Sequence, residues 1–144
     1  MKKADLPQKI SAVLNRLFPA FFREAGAFRL ETGLAIGHLR ILKFVSMGLN
    51  RVGKLSEFQC TSQPAMSKMV DHLVQAGYLK RGAHVGDRRQ IELTLQPKAE
   101  ALLTQFHQNL VQKITRQTGR LSLADRKKLE QGLDVVLSLF EEAS

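Results

Sequence analysis

The residues from Ser62 to Lys68 combine a helix-start signal with side chains that can hydrogen-bond to nucleobases. Ser62 can cap a helix, and Pro64 fits in a first turn, where its missing N–H costs little. Gln63 and Ser67 are four residues apart, so both project from one side of that helix. Glutamine can pair bidentately with adenine in the major groove, serine can bond to several bases, and Lys68 suits a phosphate or a guanine. The pattern predicts a helix that reads duplex DNA, and the alternative is an ordinary polar surface helix.

A second group of basic residues follows that helix, around the tip of a predicted β-hairpin. It comprises Arg81, His84, Arg88 and Arg89. Arginine gains from the negative potential of a narrow minor groove, so these side chains are candidates for minor-groove and phosphate contacts. Asp87 lies beside two arginines, where we expect it to hold an arginine or the turn backbone in place. The alternative is a solvated charged loop.

The overall charge favours a polyanionic partner, for which nucleic acid is the usual candidate. Lysine and arginine number 22 against 13 acidic residues, which gives a net charge of +9. The alternative is a basic protein whose charge only aids solubility. The single cysteine cannot form an internal disulfide, and we find no signal peptide and no apolar run of about 18 residues. We therefore expect a cytoplasmic protein without a membrane span.

Other kinds of site find little support in the sequence. The four histidines, His38, His72, His84 and His107, show no metal-ligand spacing, and no CxxC or HExxH motif is present. A glycine-rich phosphate loop and a nucleophile elbow are also missing. We therefore expect no metal, no cofactor and no enzymatic activity.

Apolar spacing predicts a mainly α chain with one hairpin. We expect Pro19 to break or kink the first helix, because proline removes a backbone donor and clashes with the preceding turn. Leu55 and Phe58 should face inward from a short third helix. Apolar side chains alternate in the second strand, which indicates a half-buried strand. The other predicted elements are helices over 34–47, 54–59, 62–76 and 97–118, strands over 78–81 and 91–96, and a last helix after Ser122.

Two stretches of the chain resemble the MarR family of bacterial regulators (multiple antibiotic resistance regulators). The first runs from Leu55 to Arg81, LSEFQCTSQPAMSKMVDHLVQAGYLKR, and resembles the family's helix-turn-helix and the strand after it. The second runs from Asp87 to Leu102, DRRQIELTLQPKAEAL, and resembles the family's wing. Asp87 and Arg89 occupy the two positions of its Asp-any-Arg signature. Gln96 stands where the family usually carries threonine.

This resemblance implies a winged helix-turn-helix fold, mainly α (α+β), with a two-stranded β-hairpin wing and flanking N- and C-terminal dimerisation helices. It implies one domain over 1–144, with a DNA-binding lobe at 34–96 and a dimerisation region formed by 1–33 and 97–144. Family members bind pseudo-palindromic operators in double-stranded DNA as homodimers, usually as repressors. The residues that we expect to contact DNA are Ser62, Gln63, Pro64, Ser67, Lys68, Arg81, Asp87, Arg88 and Arg89.

The resemblance also implies a small aromatic ligand, because relatives bind aromatic acids between the DNA-binding lobe and the dimer helices. Phe18, Phe22, His38 and Arg40 are candidates to line such a cleft, and the alternative is that the phenylalanines form dimer core. Cys60 stands at the helix-turn-helix turn, where glycine is common. A redox switch is one interpretation of this cysteine, and the favoured one is a small buried apolar residue.

Two further functions remain compatible with the same fold. One is a winged-helix module that binds a protein partner. The other is an architectural protein that binds DNA with little sequence preference. The polar helix start and the basic wing favour a sequence-specific, double-stranded DNA-binding transcriptional regulator over both.

Overall fold

A computed structural model of the chain describes residues 5–84, 86 and 90–141. The chain divides into two compact units, Met1–Gln108 and Asn109–Ser144. The elements are α1 (Leu6–Thr32), α2 (Ile36–Ser46), α3 (Val52–Phe58), α4 (Gln63–Gln75), β1 (Leu79–Ala83), β2 (Ile91–Leu95), α5 (Pro97–Thr118) and α6 (Leu123–Glu141). This order confirms the predicted mainly α fold with a hairpin wing.

Several helix ends follow from local residue chemistry, as the sequence predicts. Helix α5 begins at Pro97 and ends at Thr118, the predicted bounds. Gly77 takes a φ of 78° just after α4, a left-handed conformation that favours glycine. Ser122 caps α6, because its Oγ accepts a bond of 3.1 Å from the Asp125 N–H and donates one of 2.8 Å to the Asp125 carboxylate.

The core of the first unit is built from α2, α3, α4 and the hairpin. Apolar side chains of α2 and α4 are buried, and Leu55 of α3, which was predicted to face inward, is fully buried with them. The buried members of this cluster are Leu34, Ile41, Leu42, Val45, Leu55, Met66, Val70, Leu73, Tyr78, Leu79, Leu93 and Ala99. Burying a side chain of this size stabilises the fold by about 1.5–3 kcal/mol.

Helix α1 is continuous through Pro19, so a break there is wrong, while the alternative of a kink stays a prediction. Proline removes one N–H donor, but packing after it holds the chain in register. Phe28 is buried, and its ring and that of Phe21 meet Phe106 of α5 edge-on, with centroids 5.2 and 5.5 Å apart. Aromatic pairs of this kind contribute about 0.5–1.5 kcal/mol each beyond their buried area. These contacts offset the cost of the proline.

Two predicted core positions are wrong. Phe58 is 62% exposed, because α3 ends at this residue and its ring lies at the rim of the core, edge-on to Phe44 at 4.7 Å. Ile91 is 52% exposed, because β2 begins near the hairpin tip, away from the core. Further along β2, Leu93 is buried and Leu95 half-buried, as the alternation predicts.

The hairpin is antiparallel and joins the core at its root. Leu79 of β1 pairs with Leu95, and Ala83 pairs with Ile91. The Leu93 N–H donates to the Asn50 carbonyl at 2.8 Å, which ties β2 to the segment before α3. The hairpin is therefore anchored to the core at its root, and its outer end lies beside the start of α3.

The second unit contains the last turns of α5 and helix α6. Every residue of α6 from 123 to 139 is exposed. Its apolar positions include Leu129, Leu133, Val136 and Leu137 at helical spacing. The described part of this unit thus carries an apolar helix face without an enclosed core of its own.

The turn between α3 and α4 contains a backbone conformation that glycine favours but that Cys60 adopts, with a φ of 51°. Because a side chain in this region costs about 1–2 kcal/mol, we expect Cys60→Gly to raise the free energy of unfolding, by up to about 1 kcal/mol after glycine's extra chain entropy. Urea unfolding at one protein concentration measures the change. Cys60→Ala is the control, because it removes the thiol and keeps the strain. Destabilisation by Cys60→Gly would contradict this account of the turn.

Candidate nucleic-acid interface

Helix α4 presents two chemically opposite faces. The Ser62 Oγ accepts a hydrogen bond from the Ala65 N–H at 3.4 Å, and this cap begins the helix where the sequence predicts. Met66, Val70 and Leu73 are fully buried on the inner face. Because their spacing matches the helical repeat, the positions on the opposite side of the helix point away from the core.

The outer face of α4 carries most of the predicted base-reading residues. Gln63, Pro64 and Lys68 are exposed, and Ser67 is half-buried at the border between the two faces. The start of the helix therefore presents an amide, a hydroxyl and an ammonium group on one surface. These are the groups that bond to base edges and phosphates in duplex DNA.

The side chain of Gln63 lies against the start of α3. A β-carbon built on Gly53 would lie 3.5 Å from the Gln63 Nε2 atom, which is ordinary van der Waals contact. The first turns of α3 and α4 are thus neighbours. Arg51 and Lys54, at the start of α3, add positive charge beside Gln63. Neither residue is among those predicted from the sequence to contact DNA.

Arg81 has a structural partner in α4. Its Nη2 atom donates to the Asp71 Oδ1 atom at 2.6 Å. Both side chains are substantially exposed, and pairs of this kind contribute about 1 kcal/mol or less. The ion pair connects β1 to the outer face of α4, so the structure brings Arg81 to a carboxylate at the edge of the candidate interface.

The remaining predicted wing residues, Asp87, Arg88 and Arg89, lie outside the described residues. Gln90, on the near side of this segment, lines a cleft of about 330 Å³ together with Arg51, Lys54 and Ile91. The hairpin therefore approaches the candidate interface beside the start of α3. The roles of the three wing residues stay predictions.

The residues predicted to bind an aromatic ligand are spread over two helices. Phe18 and Phe22 are half-exposed on α1, with ring centroids 6.4 Å apart. Arg40 is exposed on α2, and His38 is half-buried there, facing α4. None of the four lines the cavity of about 310 Å³ between α1, Tyr78 and α5, whose walls are Phe28, Glu31, Thr32, Tyr78, Lys98, Ala101, Leu102 and Gln105.

Lys98 is the cation in this cavity. Its Nζ atom donates to the Ala76 carbonyl at the end of α4 at 2.8 Å and lies 4.3 Å from the centroid of the Tyr78 ring. Lys98 is not among the predicted ligand residues, although the sequence contains a signal for it. A lysine next to a helix-opening proline opposes the helix dipole unless its charge has another partner.

His38 and His72 form a contact between α2 and α4, with ring centroids 4.8 Å apart. The His38 Nδ1 atom accepts a hydrogen bond from the Ala35 N–H at 3.1 Å, so the ring is bound in its neutral form. Burial lowers the pKa of His38 below its usual 6.5, and the nearby charge of His72 lowers it further. The protonation of His38 is therefore linked to the packing beneath the candidate interface.

Other candidate chemistry has little geometric support within the described residues. Cys60 is exposed, so the buried position favoured for it is wrong. Across residues 5–84, 86 and 90–141, no three histidine, cysteine, aspartate or glutamate side chains converge closely enough to hold a metal ion. In the same part of the chain, no helix has the length and hydrophobicity needed to span a bilayer.

Comparison with protein families places the resemblance on the same segment. The sequence model of the MarR family matches residues 46–91, which contain α3, α4 and β1. This match confirms the resemblance drawn from the helix-turn-helix and the wing. No curated protein sequence matches the chain.

Solved structures confirm the fold over nearly the whole chain. The transcriptional regulator Tm0710 from Thermotoga maritima is 20% identical, with a TM-score of 0.73, over 94% of this chain and 96% of its own. A mutant of MarR from E. coli is 19% identical, with a TM-score of 0.73, over 95% and 99%. The transcriptional regulator BldR from Sulfolobus solfataricus is 20% identical, with a TM-score of 0.64, over 96% and 99%. At these identities the likeness establishes the winged-helix fold.

The lowered pKa of His38 predicts a pH dependence of stability. Because the unfolded chain binds this proton more tightly, the free energy of unfolding should fall as the pH drops below 6.5 towards the lower pKa of the folded state. Urea unfolding from about pH 8 to about pH 5.5 measures the loss. We expect His38→Gln to flatten the pH dependence, and His72→Gln to flatten it less, because burial is the larger cause. Identical slopes for wild type and His38→Gln would refute the assignment.

Proposed function

From the family match over the helix-turn-helix and the shared fold, we propose that this chain is a sequence-specific, double-stranded DNA-binding transcriptional regulator. The observation that carries the proposal is the polar start of α4, with Gln63 and Lys68 exposed opposite a fully buried apolar face. The net charge of +9 supports a polyanionic partner. A helix held by its inner face, with a basic hairpin beside it, suits insertion into the major groove.

Each subunit would read DNA through two elements. Gln63 and Ser67 would contact base edges in the major groove, while Lys68, the Ser62 cap and Pro64 at the helix start lie close to the phosphates. Arg88 and Arg89 would enter the flanking minor groove, with Asp87 holding the turn. Arg81 would contribute from the root of the wing, where Asp71 fixes its direction.

We infer that the protein acts as a homodimer, because an isolated chain would leave a large apolar surface in water. On α1, exposed apolar side chains follow one helical stripe that includes Val13, Leu14, Leu17 and Phe18. Covering such side chains is worth about 1.5–3 kcal/mol each. The regions 1–33 and 97–144 would form the dimer, and 34–96 the DNA-binding lobe. Two lobes would then contact half-sites about 10 base pairs apart in a pseudo-palindromic operator.

We propose that the protein is a cytoplasmic repressor and that a small aromatic acid releases it from DNA. Phe18, Phe22, His38 and Arg40 stay the predicted ligand residues. The cavity beside Lys98 is a second candidate, because it combines aromatic walls with an ammonium group. In either place a ligand changes DNA binding only if it binds one arrangement of the protein better than another.

Selection of bound sequences from a random duplex pool tests the proposal directly. We expect an enriched palindrome with half-sites about one helical turn apart, and affinity that falls steeply with salt as counterions are released. Tight binding without enrichment would instead indicate an architectural protein. Failure to bind any duplex in dilute buffer would refute DNA binding and favour a protein-interaction module.

Gln63→Ala should relax the preference for one base pair in each half-site. We expect a loss of about 1–3 kcal/mol on the selected operator and little change on random duplex, because a base contact is lost and no charge is removed. Fluorescence anisotropy on both duplexes measures the difference. Lys68→Ala is the contrasting variant, because losing a phosphate contact should weaken both duplexes alike and lower the salt slope. Equal losses on both duplexes for Gln63→Ala would count against its reading role.

Leu17→Glu should separate the dimer without unfolding the lobe. Leu17 is 55% exposed in the single chain, so the carboxylate is tolerated there but would be buried in a dimer. We expect the dimer dissociation constant to rise by at least about 100-fold in sedimentation experiments. Asn15→Glu adds the same charge off the apolar stripe and should remain dimeric. A Leu17→Glu protein that stays dimeric would exclude this stripe from the interface.

A further inference from the structure

An ion cluster lies where the outer end of the hairpin meets the start of α3, and its carboxylate, Glu92, has no role in the contacts described so far. The Glu92 Oε1 atom of β2 lies 2.6 Å from the His84 Nδ1 atom and 3.7 Å from the Arg51 Nη2 atom. The His84 Nδ1 atom is covered from solvent, and its contact with Glu92 lacks the angle of a hydrogen bond. One carboxylate thus lies against an arginine and a histidine from different parts of the chain.

Backbone pairing fixes Glu92 between these two partners. Glu92 pairs with Gly82 in the hairpin, and the His84 N–H donates to the Gln90 carbonyl at 2.9 Å. On the other side, the Leu93 N–H bonds to the carbonyl of the residue before Arg51. Arg51 itself is the N-cap residue of α3. The carboxylate therefore joins the wing to the start of α3 at the point where their backbones meet.

Stability alone does not account for this cluster. The side chains of Arg51, His84 and Glu92 are 42%, 34% and 25% exposed. Exposed ion pairs add little to the stability of a fold, and sharing one carboxylate between two side chains does not change that. What the arrangement does supply is direction, because the Glu92 carboxylate attracts the Nη2 side of the Arg51 guanidinium group at 3.7 Å and leaves its N–H donors available to another ligand.

The cluster lies on the same surface as the start of α4. Arg51 lines the cleft between α3 and β2, together with Lys54 and Gln90. Gly53, in the same turn of α3, lies against the Gln63 side chain. A DNA backbone lying along the start of α4 towards the wing would pass over this cleft. Phosphate is the ligand that matches its cations and the free donors of a guanidinium group.

We propose that Glu92 is a positioning residue, which holds Arg51 and His84 so that they meet a DNA backbone phosphate between α3 and the wing. This inference rests on the proposed function and adds a third contact region to the helix start and the wing tip. Glu92 touches no DNA itself. It acts through these two side chains, chiefly through the guanidinium group of Arg51.

Glu92 could act on DNA binding as a repelling charge or as a positioning residue. The two roles predict opposite changes in DNA affinity when its carboxylate is removed. A carboxylate on a DNA-binding surface repels phosphate, so by charge alone Glu92→Gln should tighten binding. If Glu92 orients Arg51 and His84, the same variant should weaken binding although the surface becomes more positive. The sign of the change therefore decides between the two roles.

The test uses fluorescence anisotropy of the full chain on its selected operator, with a random duplex at low salt as reference. We expect Glu92→Gln to bind the operator about 3- to 10-fold more weakly. Glu57→Gln is the matched control, because Glu57 pairs with Lys54 beside the same cleft but within a single helix turn. This control should bind as tightly as wild type or more tightly. Arg51→Ala should lower the slope of log affinity against log salt by about 0.9 for the phosphate lost.

A double-mutant cycle shows whether Glu92 acts through Arg51. Glu92→Gln should cost little further affinity in an Arg51→Ala background, whereas independent roles would add. Thermal melting checks that each variant is folded. If Glu92→Gln melts early, Arg51→Lys provides the same test, because it keeps the charge, loses the fork and should also weaken binding.

Two outcomes would overturn the inference alone, with wild type binding its operator. One is a Glu92→Gln protein that binds as tightly as Glu57→Gln, and the other is an additive double mutant. A wild-type protein that binds no duplex at low salt would instead overturn the proposed function and this inference with it.

Discussion

The complete burial of one face of α4 is the constraint on which the rest of the DNA-binding lobe depends. Met66, Val70 and Leu73 are enclosed by side chains from α2, α3 and the hairpin. Truncating one such side chain costs about 2–5 kcal/mol, a large part of the roughly 5–15 kcal/mol that stabilises a whole domain. Helix α4 is therefore fixed about its own axis, and the side chains at its start are fixed with it. Preorganisation of this kind lowers the entropy that binding must overcome, so core packing and DNA recognition are parts of one arrangement.

The hairpin is held in a different way from α4. Leu79 and Leu93 join it to the core, while its direction depends on half-exposed ion pairs to Asp71 of α4 and Arg51 of α3. Ion pairs of this kind orient the hairpin but contribute little free energy. The hairpin can therefore shift by small amounts without disturbing the core. The width of the DNA minor groove varies with the DNA sequence, so an element that contacts it must be able to adjust its position. In the proposed complex with DNA, the rigid helix and the adjustable hairpin would divide the two parts of recognition between them.

Prediction from the sequence succeeded where structure is set by neighbours along the chain. The Ser62 cap, the bounds of α5 and the two-residue alternation near Leu93 are local properties, and all of them match the structure. Prediction from the sequence failed where contacts between residues far apart in the chain determine the structure. Pro19 stays in a continuous helix because aromatic packing against α5 outweighs a local rule. The sequence could not predict the partners of Glu92 either, because they come from separate segments that meet only after folding.

In the proposed regulator, a ligand in the cavity beside Lys98 would act on DNA binding through α4. Lys98 of α5 donates to the Ala76 carbonyl at the end of α4, so α5 and the reading helix share one hydrogen bond. An anionic ligand in this cavity would compete with that carbonyl for the ammonium group, and the carbonyl would lose a charged donor. Such a competition alters the position of α4 only to the extent that the ligand binds the displaced arrangement more tightly. The coupling energy is therefore bounded by one charge-assisted hydrogen bond, about 1.5–3 kcal/mol, which corresponds to roughly a 10- to 150-fold change in DNA affinity.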